Sequence, residues 1–170
     1  MAKPLTLGAS HFNSNQYEAQ RVNNYEVIFP GDMFPEEFTL LAESFRMPEI
    51  NMGSISLAYG NNDVKVAGKA ETTDASLVIK DAILINAEKM IFKWFNSVYD
   101  ATTDRVGWVE DYKKTLFVNQ FGPDGTFTRQ WKCIGCWPKQ VSSTEYNAAQ
   151  SDKRMITISV SIDKAFPVLD

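Results

Sequence analysis

Apolar and polar residues alternate over several short stretches of this chain. In "RMITISVSI", residues 154 to 162, Ile156, Ile158, Val160 and Ile162 share one parity, with Thr157, Ser159 and Ser161 between them. Side chains on a strand alternate between its two faces, so this run predicts one core face and one small, polar face. "NNYEVIF" (residues 23 to 29) also reads as a strand, closed by Pro30-Gly31. "EFTLLAESFRM" reads as a strand ending before Pro48, because a residue preceding proline avoids helical geometry. "SISLAY" and "DVKV" alternate on either side of a Gly-Asn-Asn-Asp tip and predict a β-hairpin. "ASLVIKD" is a fuller, more buried strand, and "KKTLFVNQF" leads through the Pro-Asp-Gly turn into "FTRQWKCIGCW", which Pro138 is expected to stop.

One segment has a helical period. In "NAEKMIFKWFNSVYD", residues 86 to 100, Met90, Ile91, Trp94, Phe95 and Val98 form a stripe opposite Glu88, Lys89, Lys93 and Asn96. Asn86 is the expected N-cap, and Glu88 sits in the first turn, where the helix dipole favours an anion. Seven or eight strands and a single helix predict a mainly β domain, a barrel or a sandwich of two packed sheets, with the helix on one side and the hairpin protruding.

Composition narrows the function. At 170 residues, with 44% hydrophobic and 22% charged positions, the chain fits one folded domain. Residues 1 to 20, rich in Ser, Asn and Gln, read as an arm that is mobile unless bound, ahead of a single domain over 21 to 170. A net charge of -4 disfavours a nucleic-acid reader. No apolar run approaches the roughly 20 residues of a membrane span, and no membrane anchoring is expected. The start is not an export signal of the usual kind, and two cysteines without one point to a reducing compartment.

Candidate chemistry is sparse. Cys133-x-x-Cys136 has the spacing of a redox pair, but Trp137-Pro138 follows where such a motif opens a helix, and residues three apart on a regular strand face opposite ways. That disfavours a bridge unless the chain turns at Gly135, and buried structural thiols are the simpler reading. Zinc fails on ligand number, since His11 is the only histidine and lies in the arm. The same residue would have to serve any Ser-His-Asp arrangement. The carboxylate clusters read as solvated turns, and "WVEDYKK" mixes aromatics with lysines but includes two acids. No enzymatic activity and no cofactor are expected. A protruding hairpin suits a protein whose surface is its function, because strand edges pair with other chains.

Several motifs, taken in order, resemble the tail tube proteins of contractile-tailed bacteriophages. "RVNNYEV" is similar to that family's opening strand, with Arg21, Asn23 and Tyr25. "RMPEINMGSISLAYGNNDVKVAG" is similar to its strand, proline (Pro48), hairpin and Val-Ala-Gly return (Gly68). "DYKK" (Tyr112, Lys113), "GCWP" (Gly135, Trp137, Pro138) and "ITISVSIDKAF" resemble its later landmarks. Together they cover roughly residues 21 to 166, and the arm before Arg21 departs from the pattern. The resemblance implies subunits that form hexameric rings, stacked into a rigid tube inside a contractile sheath. It further implies baseplate, tail terminator and tape measure proteins as partners, DNA passing transiently through the lumen, and a place in the virion after assembly in the host cytoplasm. It assigns ring stacking to a hairpin at about residues 51 to 69, with Tyr59, Asn61, Asn62, Asp63 and Lys65 as contact residues. A conduit should not adsorb the polyanion it carries, so acidic residues are expected on the bore. A tube of a bacterial contractile injection system or tailocin is the near alternative, and a thiol redox protein the remote one.

Overall fold

The computed structural model describes residues 19–143, 145–149 and 151–168, so the first 18 residues of the predicted arm, with His11, lie outside the described residues. The described chain is mainly β, as expected. Its strands are β1 (Tyr25–Ile28), β2 (Ala42–Arg46), β3 (Ile50–Tyr59), β4 (Asn62–Thr72), β5 (Ala75–Lys80), β6 (Tyr99–Asp100), β7 (Arg105–Val106), β8 (Lys114–Phe121), β9 (Phe127–Ser143), β10 (Met155–Ser161) and β11 (Lys164–Val168). Eleven strands exceed the expected seven or eight because β6 and β7 form a two-residue ladder and the closing run bends into a separate β11. Helix α1 (Ala87–Val98) is joined by a four-residue α2 (Val109–Tyr112) and a 3-10 helix (Glu36–Leu41), so the helix is not single.

Two antiparallel sheets share one strand. A front sheet joins β1, β8, the first half of β9 and β11, while a back sheet joins the second half of β9, β10, β5 and β2. Pro138 does not stop β9, which is 17 residues long and continues to Ser143. Proline lacks a ladder donor and sits best at an irregularity. Pro138 lies opposite Val160, where the register with β10 shifts.

The expected strand over "EFTLLAESFRM" is half right. Residues 36 to 41 wind into the 3-10 helix behind Pro35, because Phe38 and Leu41, three apart, both reach the core. The remainder is β2.

Alternate residues of β1, β5, β8 and β10 supply the core. Val27, Leu116 and Val118 come from the front, and Leu77, Ile79, Ile156, Ile158 and Val160 from the back. Helix α1 inserts Ile91 and Trp94, both fully buried, with the Trp94 ring edge-on to Phe34 at 5.7 Å. Asn86 caps the helix as expected, its Oδ1 accepting the Lys89 N–H at 3.1 Å. Arg154 ties the helix to the sheet by donating to Glu88 Oε1 and to Asp81 Oδ2, both at 2.7 Å.

Candidate assembly interface

β3 and β4 pair with each other and with no other strand, and together they leave the body of the domain as a hairpin. They turn through Gly60 and Asn61, and the positive φ of 64° falls on Gly60, the residue type that adopts it without steric cost. At the root, the Thr73 N–H donates to the Glu49 carbonyl at 2.9 Å and Thr73 Oγ1 accepts the Glu49 N–H at 2.8 Å. Midway, the register shifts between Met52 and Ser54. There the two backbones pass so closely that a β-carbon on Gly68 would lie 3.1 Å from the Gly53 carbonyl. Gly68 therefore has a steric role at the bulge.

Cross-strand register sorts the outer half of the hairpin into two unlike faces. Ile55 lies opposite Val66 and Leu57 opposite Val64, giving an aliphatic face, while Ser54–Ala67, Ser56–Lys65 and Ala58–Asp63 form a small, polar one. Opposed residues share a face. The aliphatic face has no cover: Ile55 is 53%, Leu57 51% and Val64 49% exposed. Tyr59, at 79%, stands beside the tip. Asn61 occupies the turn, Asn62 Oδ1 accepts the Asp63 N–H at 2.9 Å, and Lys65 lies exposed on the polar face. The aliphatic face was not among the expected contact residues, although the alternation in "SISLAY" and "DVKV" carries its signal.

The remaining predicted positions fall into two groups. Tyr112, Lys113, Gly135 and Trp137 converge on one corner. The Tyr112 and Trp137 rings meet edge-on at 6.0 Å, the Tyr112 carbonyl accepts the Trp94 Nε1–H at 2.9 Å, and Lys113 Nζ reaches Asp163 at 2.6 Å. Gly135 has φ of 71°, and a β-carbon there would run into the Asp163 carboxylate. Arg21 and Asn23 are exposed ahead of β1, Tyr25 begins it, and Pro48 separates β2 from β3. The Tyr25 hydroxyl is buried without a partner, and that burial, then the Glu43 charge, raises its pKa.

The chain does turn at Gly135, and the turn brings Cys133 and Cys136 into the same core, where Cys136 Sγ donates to the Cys133 carbonyl at 3.3 Å. Burial pushes the Cys133 thiol up to about 11 and that of Cys136 up to about 12. A redox nucleophile needs the opposite shift. Among the described residues no three His, Cys, Asp or Glu side chains gather as metal ligands, and no helix is long and apolar enough to cross a membrane.

Residues 24–165 match the family model described as the T4-like virus tail tube protein gp19. The chain belongs to the T4-like tail tube protein family. Arg21 and Asn23 precede the first residue matched to this tail tube family, whereas the whole hairpin and the Gly135 corner fall within it. No curated protein sequence matches the chain.

Among solved structures, the tail tube fold here is similar to the tube-terminating cap of the anti-feeding prophage, with a TM-score of 0.71 and 17% identity over 90% of this chain and 93% of that one. It is similar to the sheath/tube terminator of an extracellular contractile injection system, PVC, in its extended state, with a TM-score of 0.70 and 18% identity over 89% and 98%. A chain of the extended PVC sheath-tube complex gives 0.67 and 18% over 95% and 97%. At these identities the likeness is one of fold.

Proposed function

We propose that this protein is the non-enzymatic building block of a phage tail tube, acting through self-association alone. Six copies form a ring, rings stack into a hollow tube, and the tube gives the genome its path out of the virion. The observation that carries this reading is the hairpin: a two-stranded ladder with an uncovered aliphatic face, on a chain of the tail tube family. A lone hairpin is marginal in water, and an exposed apolar strand pair invites another chain. Stacking uses Tyr59, Asn61, Asn62, Asp63 and Lys65 around the tip, with Ile55, Leu57, Val64 and Val66 as the apolar contact. The single domain follows an N-terminal arm, and the partners along the tube are the sheath, terminator, baseplate and tape measure proteins.

The test is negative-stain electron microscopy of the purified protein. Hexameric rings or tubes are expected at high concentration, and a persistent monomer overturns the proposal. Replacing Asn61, Asn62 and Asp63 with a shortened Gly-Gly turn is expected to abolish stacking while the subunit still folds.

A second reading has an observation of its own. Two of the similar structures come from an extracellular contractile injection system, which favours a tube that carries an effector in place of a genome. Mass spectrometry and nucleic-acid staining of purified particles would separate the two.

A further inference from the structure

Resting on the tube reading, we infer that the aliphatic face of the hairpin docks on Ile83 and Leu84, a knuckle between β5 and α1, of a copy in the next ring. Strand directions put the two features at opposite ends of the back sheet. At one end Arg46, the last residue of β2 before the hairpin, pairs with Ser76, and Ala75, the first residue of β5 after it, pairs with Val160. At the other end Ala42 lies opposite Ile79, and Met155 opposite Lys80. The hairpin springs from the first end, and the knuckle follows β5 out of the second.

The knuckle holds two aliphatic side chains in water. Ile83 is 97% and Leu84 99% exposed, whereas Ala82 and Ile85 on either side pack against the core. The Asn86 N–H donates to the Ala82 carbonyl at 2.9 Å and closes the turn. The Asp81 N–H donates to the Arg154 carbonyl at 3.0 Å, and the Arg154 guanidinium grips Asp81 and Glu88 on the two sides of the turn. The Tyr146 ring lies 4.8 Å from that guanidinium. Single exposed apolar residues are ordinary on a protein surface. Two adjacent ones on a turn fastened from both sides make a preorganised contact, which loses little entropy when it is covered.

Three observations select the hairpin as the occupant. Subunits stacked in one direction meet through two different patches, so the cover for the hairpin lies at the end away from it. The rival apolar patch, Val106, Trp108 and Val109, fails that condition. It adjoins Tyr112, whose ring meets Trp137, and Trp137 lies opposite Ser161 at the end from which the hairpin springs. The chemistry matches as well, since Ile55, Leu57, Val64 and Val66 offer aliphatic surface without charge to aliphatic surface without charge. Finally, at roughly 3.3 Å per residue, β3 extends about 33 Å and β5 about 20 Å, so the hairpin is longer than the strand that separates it from the knuckle.

Two experiments test the pairing. Ile83→Ser/Leu84→Ser should leave the denaturation midpoint of the monomer unchanged, because both side chains already face water, and should give hexameric rings that no longer stack in negative-stain images. Tubes like those of the wild type would place the knuckle outside the ring-to-ring contact, and loss of the rings themselves would place it between neighbours within a ring; either result overturns the inference. For the pairing itself, Leu57→Cys and Leu84→Cys chains are mixed, assembled and treated with a short bis-maleimide, the native thiols being buried and raised in pKa. The mixture should give cross-linked dimers at least tenfold above either variant alone. No cross-link, or equal yields from the mixture and the single variants, overturns the pairing. If the wild type forms no tubes, the tube reading itself fails and takes this inference with it.

Discussion

Gly135 holds a left-handed φ of 71° against the Asp163 carboxylate, so a side chain there meets two penalties, one of backbone and one of contact. Gly135→Ala is expected to destabilise the subunit by about 2 kcal/mol or more, read from urea denaturation of the monomer. The two thiols beside it give a pH dependence. Unfolded, they ionise near 9.0, and folded near 11 and 12, so the protonated forms are favoured by folding. The stability this contributes is intact below pH 9.0 and is lost as pH rises from there towards about 12. The denaturation midpoint of the Cys133→Ala/Cys136→Ala variant should fall less steeply across that window than that of the wild type. Single residues were legible where the cause is local: Asn86 as a cap, and Cys133 and Cys136 as buried thiols. Arg154 was not, because its partners Glu88 and Asp81 lie 66 and 73 positions away and only the fold brings them within reach.

Among the elements, α1 shows how periodicity becomes packing. Its stripe buries Ile91 and Trp94 completely, and the indole N–H finds the Tyr112 carbonyl, which also fixes α2. Trp94→Ala should cost about 3 to 5 kcal/mol, detected as a lower thermal midpoint, through the cavity and the orphaned carbonyl together. Long periodic elements were legible in the sequence, as β5, β10 and α1 demonstrate. Two misreadings have a common cause, which is that local rules ignore what the rest of the fold supplies. "EEFTLL" has apolar residues at a spacing that a short turn of helix satisfies as well as a strand does. Pro138 ends an isolated strand, but opposite a register shift it costs little, and β9 passes through it.

For the whole molecule, the exposed aliphatic face of the hairpin dictates how association responds to solvent and substitution. Leu57→Ser/Val64→Ser should leave monomer stability within about 0.5 kcal/mol, since both residues already face water, yet suppress tube formation in light scattering. Sulfate should promote assembly, because excluded salts strengthen apolar burial, whereas an interface built on exposed ion pairs would weaken as salt is added. The body of the tail tube domain was legible from its alternating strands and ordered motifs. The sharing of β9 between the sheets was not, as it depends on pairings distant in sequence. That shared strand has a mechanical consequence. With one covalent segment hydrogen-bonded into both layers, neither layer can open without disturbing the other, so the subunit should yield as a single cooperative unit. Repeated around and along a tube, such a part makes a stiff conduit that holds its calibre under load, and fails all at once when it fails.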